Sequence, residues 1–343
     1  MKDCVRHLLS LPNVELHVGE LAYGQRDFEI TGPNGIGELP DHFLGRYHEV
    51  QFRTDHALFH KENIVEAVIS RSFPQDWQYG CYCDGDFHFS RYDWALETIH
   101  QLQHHPWVQP YSGYADLSGK TLGTAMRPLR INATFAYNWV QGGYQLPEGW
   151  TDGGWKKPTS KVIEDHYGGV FRVVTGGEPE RKKINKYVGA TGGAWAFTKA
   201  GYNTTGGLLT TCILGHADWH QTFALVAEAA PDVGTSKYSQ GYRHSIAQWQ
   251  RNALKIKQNI GYTDGFATHG FHGSKYKRFY GKRYEILIQH GFDPYTDLRR
   301  DWQGIWQLTD EKPGLRDAIR SYFLERTEDD PTIIEAGGER PLI

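Results

Sequence analysis

An α/β fold is what the sequence predicts, with a mostly parallel central sheet flanked by helices. Three observations predict it. Strand-like and helix-like segments alternate through residues 14–114; the strand-like segments are short and apolar; and 343 residues, 39% of them hydrophobic, are enough to bury a large core.

Residues 5–11 read as the end of a helix stopped by Pro12 and Asn13. Residues 14–18 alternate as a strand, and residues 20–31 run on to a turn at Gly32 to Gly35. Residues 60–72 are helical, with Ile64, Val65, Val68 and Ile69 on one stripe. A buried strand follows Trp77. Tyr79, Cys81 and Cys83 take one face and Tyr82 the other, and the apolar character stops at Asp84. Ser90 and Asp93 open a helix in capping-box fashion, running to about His104 with Trp94, Ile99 and Leu102 inward. Residues 107–114 form a second core strand.

Residues 141–161 are rich in Gly, Pro and Trp and read as a functional loop or lid. Arg181 to Lys186 is the densest basic run, on a solvated loop. A strand at residues 192–197, a turn at Gly206 and Gly207, a helix from Gly215 through Glu228 and another over residues 244–258 come next. Residues 283–289, 301–308 and 315–325 are predicted helical, and the acidic tail after Thr327 is predicted to fray. The expected organisation is an α/β domain over 1–290, a helical extension over 291–327 and a tail over 328–343.

Composition excludes several classes. No apolar run is long enough to span a bilayer, and the first residues lack a signal-peptide layout, so no membrane insertion is expected. Cys4, Cys81, Cys83 and Cys212 have neither disulfide-framework nor zinc spacing, which fits reduced thiols in a cytoplasmic protein. A formal net charge of -3 argues against a surface coated in lysine, while leaving room for a local basic groove. The 11 Trp, 20 Tyr and 39 Gly suit a site that stacks on flat rings or sugar faces, although core packing accounts for most of them.

Three polar clusters carry chemistry. Asp84 and Asp86 flank Gly85 at the carboxyl end of a strand, where open α/β sheets bind ligands. Their hard oxygens suit Mg²⁺ or Mn²⁺, and such an ion would hold a diphosphate. Alone the motif is at chance level, and a solvated turn explains it equally well. Asp218 lies within residues 215–220, and His269 and His272 precede Lys275, Lys277 and Arg278. A histidine completes a metal shell, and nearby cations neutralise phosphate oxygens.

Taken in order, these segments resemble nucleotide-sugar glycosyltransferases of the GT-A fold, in a family 2-like group of phages and bacteria. The likeness runs over about residues 8–327. It rests on residues 82–87, 94–104, 192–196, 206–209 with Gly215 and Asp218, and 269–273. The resemblance implies a UDP-sugar donor and Mn²⁺ or Mg²⁺. Asp86 would ligate the metal directly, and Asp84 would hold the donor ribose or reach the metal through water. Gly192, Gly193 and Trp195 would border the donor, with Lys275 and Lys277 near its phosphates. Asp218 would be the general base, with inversion at the anomeric carbon, and His272 the metal ligand, with His269 as second choice. One departure stands out: the opening strand that normally cups the nucleotide base is missing ahead of Val5, and residues 14–18 are the replacement candidate. Phage enzymes of this look are suspected of glycosylating hydroxymethylated pyrimidines, so double-stranded DNA bearing 5-hydroxymethylcytosine is the leading acceptor. A glycan, lipid-linked sugar or protein is the alternative.

Two other classes compete. His216, Asp218 and His269 or His272 have the spacing of an iron(II) dioxygenase triad, with Arg278 or Arg283 for an oxo-acid. Such triads sit on barrel strands, whereas residues 218–227 read as helix. A non-catalytic carbohydrate- or DNA-binding module would need the aromatics and basic segments without the acidic set.

Overall fold

The computed structural model describes residues 2–11, 13–31, 35–36, 39–122, 125–141, 160–164, 170–174, 189–227, 237–270, 279 and 282–326. Its α/β character agrees with the alternating pattern, but its strands are divided among several small sheets.

Helix α1 (Lys2–Leu9) buries Cys4, Val5, Leu8 and Leu9, a stripe at helical spacing. Strand β1 (Leu16–Tyr23) begins later than the alternation suggests and extends into the segment expected to lead to a turn. After the short α2 (Asp41–Leu44), strand β2 (Tyr47–Thr54) pairs with β1 in parallel, Leu16 opposite Tyr47. The sequence reading did not identify β2. Its pattern (Tyr47, Glu49, Gln51, Arg53 against His48, Val50, Phe52, Thr54) buries only Phe52 and Thr54, so its hydrophobic signal is thin. Helix α3 (Lys61–Ser72) lies on this pair. Gly19 lets it close, since a Cβ there would come within 2.5 Å of Val68 and 2.7 Å of Ile64.

The chain continues through β3 (Tyr79–Cys83), β4 (Phe87–Phe89), α4 (Trp94–Leu102), β5 (Trp107–Gln109), β6 (Gly113–Leu122), β7 (Ala125–Ala133) and α5 (Phe135–Val140). Then come a hairpin of β8 (Ser160–Glu164) and β9 (Val170–Val174), β10 (Ala194–Thr198), α6 (Lys199–Thr205), α7 (Ala217–Leu225), α8 (Gln240–Ala253), β11 (Ile260–Tyr262) and β12 (Phe266–His269). The remainder is α9 (Lys282–Gln289), α10 (Pro294–Asp297), β13 (Leu298–Arg300), β14 (Trp306–Leu308) and α11 (Pro313–Glu325). Ser90 does not cap α4. Asp93 occupies the cap position and pairs with Arg91, while the Ser90 hydroxyl donates to the Phe266 carbonyl at 2.7 Å.

The expected mostly parallel central sheet is not seen among the described residues. One four-stranded sheet has the order β11-β5-β10-β3, and β10 runs antiparallel to both neighbours. A late strand has inserted between two early ones, and periodicity carries no record of such pairing. Residues 194–197 are all buried, as expected of a strand covered on both faces. A second sheet has the order β4-β12-β6-β7, with β12 parallel to β6 and antiparallel to β4.

Residues 301–308, expected as helix, belong instead to a hairpin between β13 and β14. The Asp301 carboxylate accepts from the backbone N–H of Gln303 (2.9 Å) and Ile305 (2.8 Å), and Gly304 takes φ 79°. A turn so well supplied with acceptors outcompetes a helix. The Gln303 side chain pairs with the Arg53 backbone (3.1 and 2.7 Å), acting as a substitute neighbour for β2. Leu298, Leu308, Leu315, Ile319 and Tyr322 share one cluster with Trp107, Trp195 and Trp249, so the C-terminal helices complete the main core. All four cysteines are free thiols, and no helix among the described residues is long and apolar enough to cross a membrane. The expected tail over 328–343 lies outside the described residues.

Candidate active site

The site is built where β3 ends. The alternation that buries Gly80 and Tyr82 stops at Asp84, whose backbone N–H donates to the Gly193 carbonyl at 2.8 Å. The chain then turns (Phe87 N–H to Asp84 carbonyl, 3.2 Å) and enters β4. Pairing of β4 with β12 sets His269 opposite Phe87, and the Gly270 N–H donates to the Asp86 carbonyl at 3.1 Å. Strand register therefore brings His269 beside Asp86.

The same strand faces β6 on its other side, where His269 is in register with Asp116. The imidazole stands between two carboxylates, with Nε2 3.4 Å from Asp86 Oδ2 and Nδ1 3.4 Å from Asp116 Oδ1. All three side chains are mostly buried, at 18%, 18% and 14% exposure for His269, Asp86 and Asp116. A carboxylate on the far nitrogen is the usual device for orienting a metal-binding histidine.

Gly192 and Gly193 connect β3 to the other catalytic candidate. A Cβ on Gly192 would lie 2.5 Å from Asp218 Oδ2, so only glycine lets that carboxylate come down onto the chain. Gly193 has φ 93°, and a Cβ there would strike Tyr111 and Phe87. The Tyr111 hydroxyl donates to the Gly192 carbonyl at 2.5 Å. Trp195 is fully buried, and its indole N–H donates to the Thr191 carbonyl at 2.8 Å; it holds the glycine turn from below. Asp218 sits in the first turn of α7, where the helix dipole favours a carboxylate.

Lys61 was not singled out from sequence. It opens α3 and forms an ion pair with Asp84, its ammonium 5.7 Å from the Tyr82 ring centre. Burial works to depress its pKa, but Asp84 first, then Glu62, Tyr82 and Asp218, outweigh that and hold it well above the ordinary lysine value. Glu62, next to it, is buried, and burial pushes its carboxyl up to about 7 against the pull of Lys61, with Asp218 and Asp84 adding to the rise. A signal for Lys61 was present: a lysine in the first turn of a helix opposes the dipole and needs a nearby anion. Asp116 gave none, since its role depends on strand pairing.

Two of these residues, Asp86 and His269, stand at the spacing of neighbouring ligands of a divalent cation. Asp84 and Asp218 are hard oxygen donors acting on one ammonium, and Asp86 follows two residues after Asp84, beside His269. Metal bonds of about 2.0–2.2 Å separate neighbouring ligand atoms by roughly 2.9–3.5 Å, and the 3.4 Å between Asp86 Oδ2 and His269 Nε2 lies within that span. His272, Lys275, Lys277 and Arg278 lie outside the described residues, as do Arg181 to Lys186 and most of the 141–161 loop.

His216 has a different setting from Asp218. It takes φ 77° at the start of α7, and its ring meets the Tyr284 hydroxyl. Burial, with Arg283 and His220 adding, pushes its pKa well below the ordinary value. No family model matches the chain, and neither a curated protein nor a solved structure is significantly similar to it.

Proposed function

We propose that the chain is a metal-dependent glycosyltransferase with a GT-A-type site, moving a sugar from a UDP-sugar to an acceptor hydroxyl. The observation that carries the reading is the gathering of Lys61 and Asp218 about Asp84, with His269 beside Asp86 two residues on, drawn from four separate segments at one strand end. A structural turn needs none of that convergence.

In this reading Asp86 and His269 hold Mn²⁺ or Mg²⁺, with Asp116 orienting the imidazole and His272 as a further donor. The bound ion supplies charge neutralisation for a departing diphosphate. Asp84, fixed by Lys61 and by the Gly193 carbonyl, holds the donor ribose or a water of the metal shell. Asp218 accepts the proton of the acceptor hydroxyl, and Gly192 keeps its carboxylate close to the glycine turn. Lys61 adds positive charge where phosphate oxygens gather.

The leading acceptor is 5-hydroxymethylcytosine in double-stranded DNA. The test incubates the protein with Mn²⁺, a panel of UDP-sugars and hydroxymethylated DNA, followed by digestion and mass measurement of nucleosides. A hexose or pentose mass increment on the modified nucleoside is expected. UDP release with no nucleoside shift would move the acceptor to a glycan, lipid or protein, and no metal-stimulated UDP release with any donor would end the transferase reading.

A further inference from the structure

We propose that Glu15, His17 and His48 form a second metal site, built for a zinc-class ion and joining β1, β2 and the C-terminal end of α3. The parallel register sets His17 directly opposite His48, and their rings stack with centroids 4.5 Å apart and 16° between planes. Glu15 lies just ahead of β1 and two residues before His17, and its carboxylate reaches the same side as the two rings. Its Oε1 is 2.7 Å from His48 Nε2 and 3.7 Å from His17 Nε2, and one donor atom from each residue lies within 4.8 Å of the others. Among the described residues this is the one group of three such donors that converges so closely.

Two further observations point to a ligand. The buried His48 Nε2 forms no hydrogen bond, and its near polar neighbour is Glu15 Oε1 at 2.7 Å. His17 Nδ1 is 2.6 Å from Ser72 Oγ, which leaves Nε2 to face Glu15 and His48. A second-shell partner on one nitrogen is how proteins orient a ligating histidine. Four-coordinate zinc with bonds of about 2.0–2.1 Å spaces its donors about 3.3 Å apart. The separations here bracket that value, and rotation of the stacked imidazoles out of their near-parallel arrangement would bring both Nε2 lone pairs onto one ion.

The donor set decides the ion. Two imidazoles and one carboxylate suit zinc and its neighbours, and they are a poor match for Mg²⁺. His17 is buried at 6% exposure, while His48 (39%) and Glu15 (48%) open to solvent, so a hydrated ion has an entry side and can keep a water as its fourth ligand. The site is separate from the Asp86 cluster. Lys61 and Ser72 are the first and last residues of α3, whose 12 residues span about 18 Å.

The test uses the full chain, stripped with chelator and titrated calorimetrically with Zn²⁺ in excess Mg²⁺, with metal per chain counted after gel filtration. One zinc per chain is expected, retained in Asp86→Asn and weakened at least about 100-fold in His48→Gln and Glu15→Gln. Both altered side chains are partly exposed, and matching melting curves in chelator will show that the fold survives. Co²⁺ provides a second readout: the visible absorption of a four-coordinate site should appear in the wild type and be lost in His48→Gln. Unchanged zinc affinity in both variants, no zinc uptake by the wild type, or a loss confined to Asp86→Asn would each overturn the proposal.

Discussion

The two ends of α3 carry opposite chemistries. At its N-terminus Lys61 and Glu62 meet Asp84 and Asp218, an oxygen-rich cluster that suits a hard cation and phosphate. At its C-terminus Ser72 meets His17, with His48 and Glu15 beyond, a nitrogen-rich cluster that suits a softer ion. The first is assembled from distant segments: α3, the end of β3, the glycine turn before β10, the start of α7 and the end of β12. The second comes from two paired strands and the helix that crosses them. A site gathered from many loops is what varied chemistry needs, whereas a site within one βαβ-like unit is suited to fixing that unit in place.

Separating the two ends in activity is the largest expected effect. Asp218→Asn should lower transfer about 100- to 10,000-fold while UDP-sugar binding survives, measured as turnover against donor affinity. His48→Gln should leave turnover within about twofold in the same assay. Near-normal turnover of Asp218→Asn would remove Asp218 as the base, and a collapse in His48→Gln would merge the two ends into one functional unit. Gly192→Ala gives a second cut on the carboxylate end. A methyl placed 2.5 Å from Asp218 Oδ2 must displace that carboxylate, so turnover should fall at least about tenfold with little change in donor affinity.

The pH response distinguishes the ends next. Glu62 has its carboxyl raised from 4.5 to about 7, chiefly by burial. The folded state therefore holds the proton more tightly than the unfolded one. That contribution to stability is complete below about pH 4.5 and is lost as pH rises through 7, a change of about 3 kcal/mol at most. Urea unfolding of Glu62→Gln, compared with wild type from pH 5 to 8, should show the wild-type decline flattened. An unchanged slope would mean that Glu62 is ionised throughout.

Lys61→Met should cost less, about 2 kcal/mol. Breaking a fully buried pair costs about 3–5 kcal/mol, but Lys61 and Asp84 keep 22% and 27% exposure, so water screens part of the loss. Equilibrium unfolding measures it, and the same variant should raise the KM for the donor if Lys61 serves phosphate.

Much of the fold was readable because most helices advertise a 3.6-residue stripe. Helix α3, with Ile64, Val68 and Ile69, and β3, with its alternation ending at Asp84, lie where periodicity puts them. What periodicity lacks is pairing. It could not show that β10 separates β3 from β5, nor that Asp116 faces His269 across β6 and β12. The 301–308 hairpin was missed because side-chain acceptors on Asp301 decide it, and β2 because it buries so little. The candidate site shows the same division. Asp84, Asp86, Asp218 and the Gly192–Gly193 turn could be singled out as motifs, and the structure brings them together. Glu62 and Asp116 enter only through tertiary contact, and the one sequence signal for Lys61, a cation in the first turn of a helix, does not say which anion it meets. The Glu15, His17 and His48 group became visible only with the β1–β2 register, since His48 lies far from Glu15 and His17 along the chain.

Ser72→Ala is the smallest and most discriminating change at the imidazole end. It removes the partner of His17 Nδ1 without touching a proposed ligand. In the metal-free protein the lost hydrogen bond should cost about 1 kcal/mol. If Ser72 orients a ligating ring, zinc affinity should also fall about tenfold, the lower end of second-shell effects. If the bond only ties α3 to β1, the stability loss will appear and zinc affinity will not move. Transfer activity should be unaffected in either case, because the change lies at the opposite end of the helix from Lys61. A parallel loss of turnover would show that α3 transmits strain between its ends, and the separation drawn above would fail.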